Sequence, residues 1–128
     1  MRMDHVALFV RDLKKTRDFY MKYFSATSNQ RYYNPVSGLE TYFLTFPEGD
    51  ARLEIMARPD ILSRAMNETD AGYIHFAVSV GSREEVDHLT SLLSEDGYTV
   101  CRLPRVTGDG YYESVVKDPE GNQIEIVG

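Results

Sequence analysis

A chain of 128 residues has room for one domain of ordinary size with a real core. Hydrophobic residues at 42% and aromatic residues at 12% exclude a disordered tail. Twenty acidic residues against 14 basic ones give a net charge of −6, which disfavours general binding to phosphate backbones and so argues against a nucleic-acid partner. The single cysteine, Cys101, excludes an intrachain disulfide and a Cys-rich zinc site. The opening MRMDHVALFV reads as neither a secretion signal nor a membrane span, so the expected setting is soluble and cytoplasmic.

In chain order, Met3–Val10 alternates as a half-buried strand, with Val6, Leu8 and Val10 on one side and His5, Ala7 and Phe9 on the other. After Asp12, placed as an N-cap, the period becomes helical: Leu13, Thr16, Arg17, Phe19, Tyr20, Tyr23 and Phe24 share a face. Ser28–Tyr33, Glu40–Phe46 and Ala51–Met56 follow as strands, separated by turn chemistry at residues 34–38 and 47–50. Arg58–Ala71 is polar and predicts a short helical connector. The order then recurs. Tyr73–Val80 alternates, and Arg83–Glu95 has helical apolar spacing at Val86, Leu89, Leu92 and Leu93. Strands are expected at Thr99–Leu103, Tyr111–Val116 and Gln123–Val127. Each half therefore reads βαβββ, with near-copied turns PEGD and PEGN before the final strands. The expected organisation is one α+β domain over residues 1–128, built from modules at about 1–58 and 72–128.

The repeat places His5 against His75 and Glu54 against Glu125, at offsets of 70 and 71 positions. Each His lies on the first strand of its module, each Glu on the last, and all four alternate away from the aliphatic face that would seat the helix. Taken singly, such residues are usually solvent-facing or satisfied by a hydrogen bond. Their recurrence as one imidazole and one carboxylate per module gives the composition of an N2O2 divalent-metal site. His88, on the second helix beside Asp87, reads as solvent-facing. Cys101 is expected as a small buried apolar residue, and Gly121 is expected at positive φ in its turn.

The segments DHVALFVRDLKKTRDFYMKYF, ARLEIM, GYIHFAVSV and DPEGNQIEIV carry a resemblance that spans essentially the whole chain. They resemble the vicinal oxygen chelate superfamily, and in particular its glyoxalase I-like branch. The resemblance implies the glyoxalase/bleomycin-resistance/dioxygenase fold, in which paired βαβββ modules form a cup-shaped mixed sheet with the helices outside. It implies that His5, Glu54, His75 and Glu125 bind one divalent metal per site, nickel or zinc first and manganese or iron(II) as alternatives. It also implies a homodimer with shared sites, in which His5 and Glu54 of one chain meet His75 and Glu125 of the other.

Such a site chelates two adjacent oxygens of a small substrate and stabilises an enediolate during a proton shift. The implied activity is a glyoxalase-like lyase or isomerase, with a thiol adduct of methylglyoxal as the model substrate. Glu125 is the first choice of base and Glu54 the second. Several positions depart from the glutathione-dependent pattern. Phe24-Ser25-Ala26 replaces a Leu-Gly-Met-like stretch, Phe9 stands where an Arg is common, Arg58 where an Asn is common, and Ile74 before the second His. Phe9, Arg58, Tyr111 and Tyr112 are candidate substrate contacts, with Arg64, Tyr32, Tyr33 and Tyr42 as further pocket candidates. For the tyrosines, strand propensity and packing is the stronger reading. A thiol transferase acting on an epoxide antibiotic is the alternative activity, although such enzymes use three ligands. An iron dioxygenase commonly has four modules, and a metal-free drug-binding protein of the same fold lacks the ligand set.

Overall fold

Among the described residues, alternation of apolar and polar side chains builds nine strands, and two amphipathic runs build helices. The computed structural model describes residues 1–62 and 71–128. The elements are β1 (His5–Phe9), α1 (Leu13–Tyr23), β2 (Thr27–Ser28), β3 (Tyr32–Tyr33), β4 (Glu40–Thr45), β5 (Arg52–Ala57), β6 (His75–Ser79), α2 (Arg83–Glu95), β7 (Val100–Val106), β8 (Tyr112–Lys117) and β9 (Gln123–Val127). No helix among the described residues is long and apolar enough to cross a membrane. The chain divides at the connector into two compact units.

In the first unit the strand order is β1-β5-β4-β2, with β3 also on β4. In the second it is β6-β9-β8-β7. Each first strand runs parallel to the last strand of its unit, and the remaining pairs are antiparallel. This mixed α+β architecture repeats, one sheet and one helix per unit.

One face of each sheet is covered by its helix, α1 on β4 and β5, and α2 on β7, β8 and β9. Leu44, Leu53 and Ile55 meet Leu13, Phe19, Tyr20 and Tyr23 there, while Val116, Ile124 and Ile126 meet Val86, Leu89 and Leu93. The Asp12 carboxylate caps α1 by accepting the Lys15 N–H at 2.9 Å. Ser82 caps α2 by accepting the Glu85 N–H at 3.2 Å, with Glu84 and Glu85 favourably placed in the first turn.

Four details differ from the sequence reading. The Ser28–Tyr33 strand is broken into β2 and β3, because Asn29 replaces a ladder carbonyl with its own side chain: its Oδ1 accepts the Phe43 N–H at 2.8 Å. β7 runs on to Val106 through Pro104, which an edge strand tolerates, and its register shifts twice along β8. On α2, Thr90 is buried and Leu92 is half-buried; the Thr90 hydroxyl bonds the Val86 carbonyl and the Ser114 hydroxyl, both at 2.6 Å. Cys101 is half-buried rather than buried. The predicted helical connector falls largely on residues 63–70, outside the described residues; before them, Ile61 N–H donates to the Arg58 carbonyl in a turn. Gly121 has φ +88°, as its turn requires.

The two helices end by the same left-handed device with different residues. After α2 it is Gly97, at φ +86°; after α1 it is Ser25, at φ +52°. A Cβ in that region costs roughly 1–2 kcal/mol. Ser25→Gly is expected to raise stability by about 0.5–1 kcal/mol, since the strain relieved exceeds the chain freedom gained by the unfolded state. Urea denaturation checks this, and an unchanged or lower midpoint would contradict it.

Candidate metal centre

The pleat delivers one imidazole and one carboxylate to the same sheet face in each unit. In the parallel pair β1–β5, Ala7 lies opposite Glu54; in β6–β9, Ala77 lies opposite Glu125. Each His is two residues before that alanine and so shares its face. The small alanine leaves the Glu side chain room to lean back toward the His. His5 Nε2 lies 3.7 Å from Glu54 Oε2, and His75 Nε2 lies 3.3 Å from Glu125 Oε2. The one-residue difference between the offsets 70 and 71 is therefore absorbed outside the strand pairing, which is identical in both units.

All four side chains are accessible, the histidines more than the glutamates: 39% and 34% against 17% for each carboxylate. Among the described residues no group of three or more His, Cys, Asp or Glu side chains is gathered as metal ligands, so the pair is the unit on display. The donors fit a divalent ion. Two neighbouring ligands at roughly 2.0–2.2 Å from one metal stand about 3 Å apart, close to both observed separations. Imidazole nitrogen and carboxylate oxygen together suit nickel, zinc, manganese or iron(II).

The surroundings of the two pairs differ. His5 Nδ1 donates to Asp4 Oδ2 at 2.8 Å, and the same oxygen accepts from Arg52 Nη2 at 2.5 Å. The hydrogen bond from His5 first, then that from Arg52, holds the Asp4 carboxyl below the usual carboxylate range. Around the second pair, Glu113 is 8% exposed and lies on β8, diagonal to Glu125 across the β8–β9 ladder. Partial burial pushes the Glu125 carboxyl above its ordinary value; His75 pulls it back, and Glu113 pushes it further up. Arg105 Nη2 approaches Glu113 Oε1 at 3.5 Å.

The other sequence candidates scatter. Phe9 ends β1 on the same strand face as His5 and is 53% exposed. Arg58 is paired with Asp60 just after β5. Tyr111 is exposed before β8. Tyr112 is turned to the helix side, where its hydroxyl donates to Asp87 Oδ1 at 2.7 Å beneath the Arg83 guanidinium. Tyr42 is likewise held on the helix side by Arg17, whose Nη1 donates to its hydroxyl at 3.1 Å. Tyr32 and Tyr33 are exposed on β3, and His88 is exposed on α2. Arg64 lies outside the described residues. Asp4, Arg52 and Glu113 were not singled out from sequence. Asp4 directly precedes a candidate ligand, which is the one signal that points to it.

Comparison with known proteins places the chain in a family and supports the fold. The family model described as Glyoxalase/Bleomycin resistance protein/Dioxygenase superfamily matches residues 2–126. The uncharacterized protein YqjT of Bacillus subtilis (strain 168) is 26% identical over 132 residues, covering 98% of this chain and 97% of its own. Among solved structures, the glyoxalase family protein from Enterococcus faecalis superposes with a TM-score of 0.79 at 23% identity, covering 99% of this chain and 97% of its own. The trypanothione-dependent glyoxalase I of Leishmania major superposes at 0.78 and 21% identity, covering 100% of this chain and 86% of its own. At these identities the structural likenesses carry the fold.

Proposed function

The chain belongs to the glyoxalase/bleomycin resistance protein/dioxygenase superfamily, and from that premise we propose that it is a metal-dependent lyase or isomerase of glyoxalase type. The observation that carries the reading is the duplicated His–Glu pair, built by the same strand register in both units. His5 and Glu54 of one chain and His75 and Glu125 of a second copy are the proposed ligands of one divalent ion, in a homodimer with shared sites. When bound, the ion supplies positive charge where two adjacent substrate oxygens become negative. The proposed substrate is a thiol adduct of methylglyoxal. The thiol is left to assay, because Phe9 and Arg58 stand where glutathione-dependent relatives commonly have Arg and Asn.

Glu125 is the proposed base. It takes the proton from the carbon bearing sulfur, and the proton returns to the neighbouring carbon. In the metal-free fold its partial burial raises its proton affinity above that of a free carboxylate. His75 Nε2 lies 3.3 Å from its carboxylate, so the two groups face one point.

The test is metal content of protein purified without chelator or affinity tag, beside His5→Ala and Glu125→Ala. About one equivalent of a divalent transition metal per chain, lost in both variants, is expected. Failure of the wild type to take up nickel, zinc, manganese or iron(II) would overturn the reading and leave a small-molecule binding protein of the same fold.

A further inference from the structure

We propose that Asp4 is a positioning residue for His5, fixing the imidazole in the tautomer that presents the Nε2 lone pair to a ligand. The consequence for metal binding rests on the proposed function above; the tautomer itself does not.

An ionised carboxylate only accepts hydrogen bonds, so the 2.8 Å contact between Asp4 Oδ2 and His5 Nδ1 places the ring proton on Nδ1. Nε2 then carries the lone pair and faces Glu54. Free imidazole side chains in water favour the opposite tautomer, with the proton on Nε2. That form would turn a donor toward the Glu54 carboxylate and would have to lose the proton before Nε2 bound an ion.

Asp4 is held for this role from two directions. Its carbonyl accepts the Arg52 N–H at 3.0 Å, extending the β1–β5 ladder by one residue, and its carboxylate accepts from Arg52 Nη2 at 2.5 Å. The Arg52 guanidinium lies 4.6 Å from the centre of the Phe43 ring, and Phe43 meets the His5 ring edge-on at 5.4 Å. Asp4, His5, Phe43 and Arg52 thus form a closed circuit in which each touches two others. Register makes the circuit: His5 lies opposite Arg52, and Phe43 opposite Glu54. Ile74 occupies the matching position before His75, so the second imidazole has no acid at that place.

The experiment is nitrogen-detected NMR of the histidine rings in metal-free protein, with zinc affinity measured by competition titration. It is run on wild type, Asp4→Ala and Asp4→Asn. Wild type is expected to show His5 protonated on Nδ1. Asp4→Ala is expected to move that proton to Nε2, leave His75 unchanged, and weaken zinc binding about 10–100-fold. Asp4→Asn keeps an acceptor oxygen and is expected to retain the tautomer with a smaller loss. A His5 tautomer unmoved in Asp4→Ala, or zinc affinity equal to wild type, overturns the proposal while leaving the metal site standing. A tautomer that moves in a protein taking up no zinc upholds the role of Asp4 and removes the metal-dependent reading instead.

Discussion

Glu125→Gln is expected to lower turnover of the thiol–methylglyoxal adduct about 10²–10⁴-fold with metal in excess, while making the metal-free chain more stable at pH 7. The two effects have one cause. Gln has the shape of Glu but cannot accept the substrate proton, so the base is lost with little change in packing. In the metal-free fold the same carboxylate is partly buried and near Glu113, and its proton affinity is raised above that of the unfolded chain. The native state then binds more protons than the unfolded state, so stability falls as pH rises. Below the unfolded value, roughly 4.3, wild type and variant should match. The gap should open as pH rises through the raised native value and stay open above it. Urea denaturation of chelator-treated protein from pH 4 to 8, beside steady-state kinetics, reads both effects. Undiminished turnover would move the base to Glu54; a wild type more stable than the variant at pH 7 would contradict the burial argument.

Glu125 is partly buried on one face of β9 while its neighbours fill the core on the other, and that alternation decides which features could be read from sequence. Both helices followed from spacing because propensity, caps and packing agreed: α2 begins and ends where the periodicity predicted, and Asp12 caps α1. That each His would lie beside a Glu was legible because the chain states the pairing twice, and the same strand register repeats it. Features that depend on one side chain imitating backbone were not. Nothing in the residue type of Asn29 says that its amide will take a ladder position and split a strand. β7 continues through Pro104 because it is the edge strand of its sheet, a position that alternation alone does not reveal. Thr90 is buried on α2 despite its hydroxyl, because Ser114 and the Val86 carbonyl satisfy it inside the core. Tyr112 sits one residue from Glu113, but strand alternation sends its ring to α2. A sequence shows which residues alternate; it shows less readily which face a hydroxyl will be drawn to.

Because the core and the proposed metal site occupy opposite faces of the same strands, a core defect should be partly reversible by metal. Ile126 is fully buried on the helix face of β9, the strand between β6 and β8, and its neighbour Glu125 projects to the other face. Ile126→Ala is expected to cost about 2–5 kcal/mol, the transfer term plus the cavity left beneath α2. That is a large share of a typical total of 5–15 kcal/mol. Val36→Ala, at a position 95% exposed, is the control and should cost less than about 0.5 kcal/mol. An ion that binds only the folded state adds roughly 2.7 kcal/mol when present at a hundredfold its dissociation constant. Ile126→Ala is therefore expected to melt well below wild type without metal and to regain much of the deficit when zinc or nickel is added. The same addition should do nothing for the double variant Ile126→Ala, Glu125→Ala. Thermal melts of the four proteins with and without metal decide it. A rescue that persists in the double variant would place the stabilising ion somewhere other than the His75–Glu125 pair, and a deficit no larger than the control's would mean that β9 does not hold the second unit together.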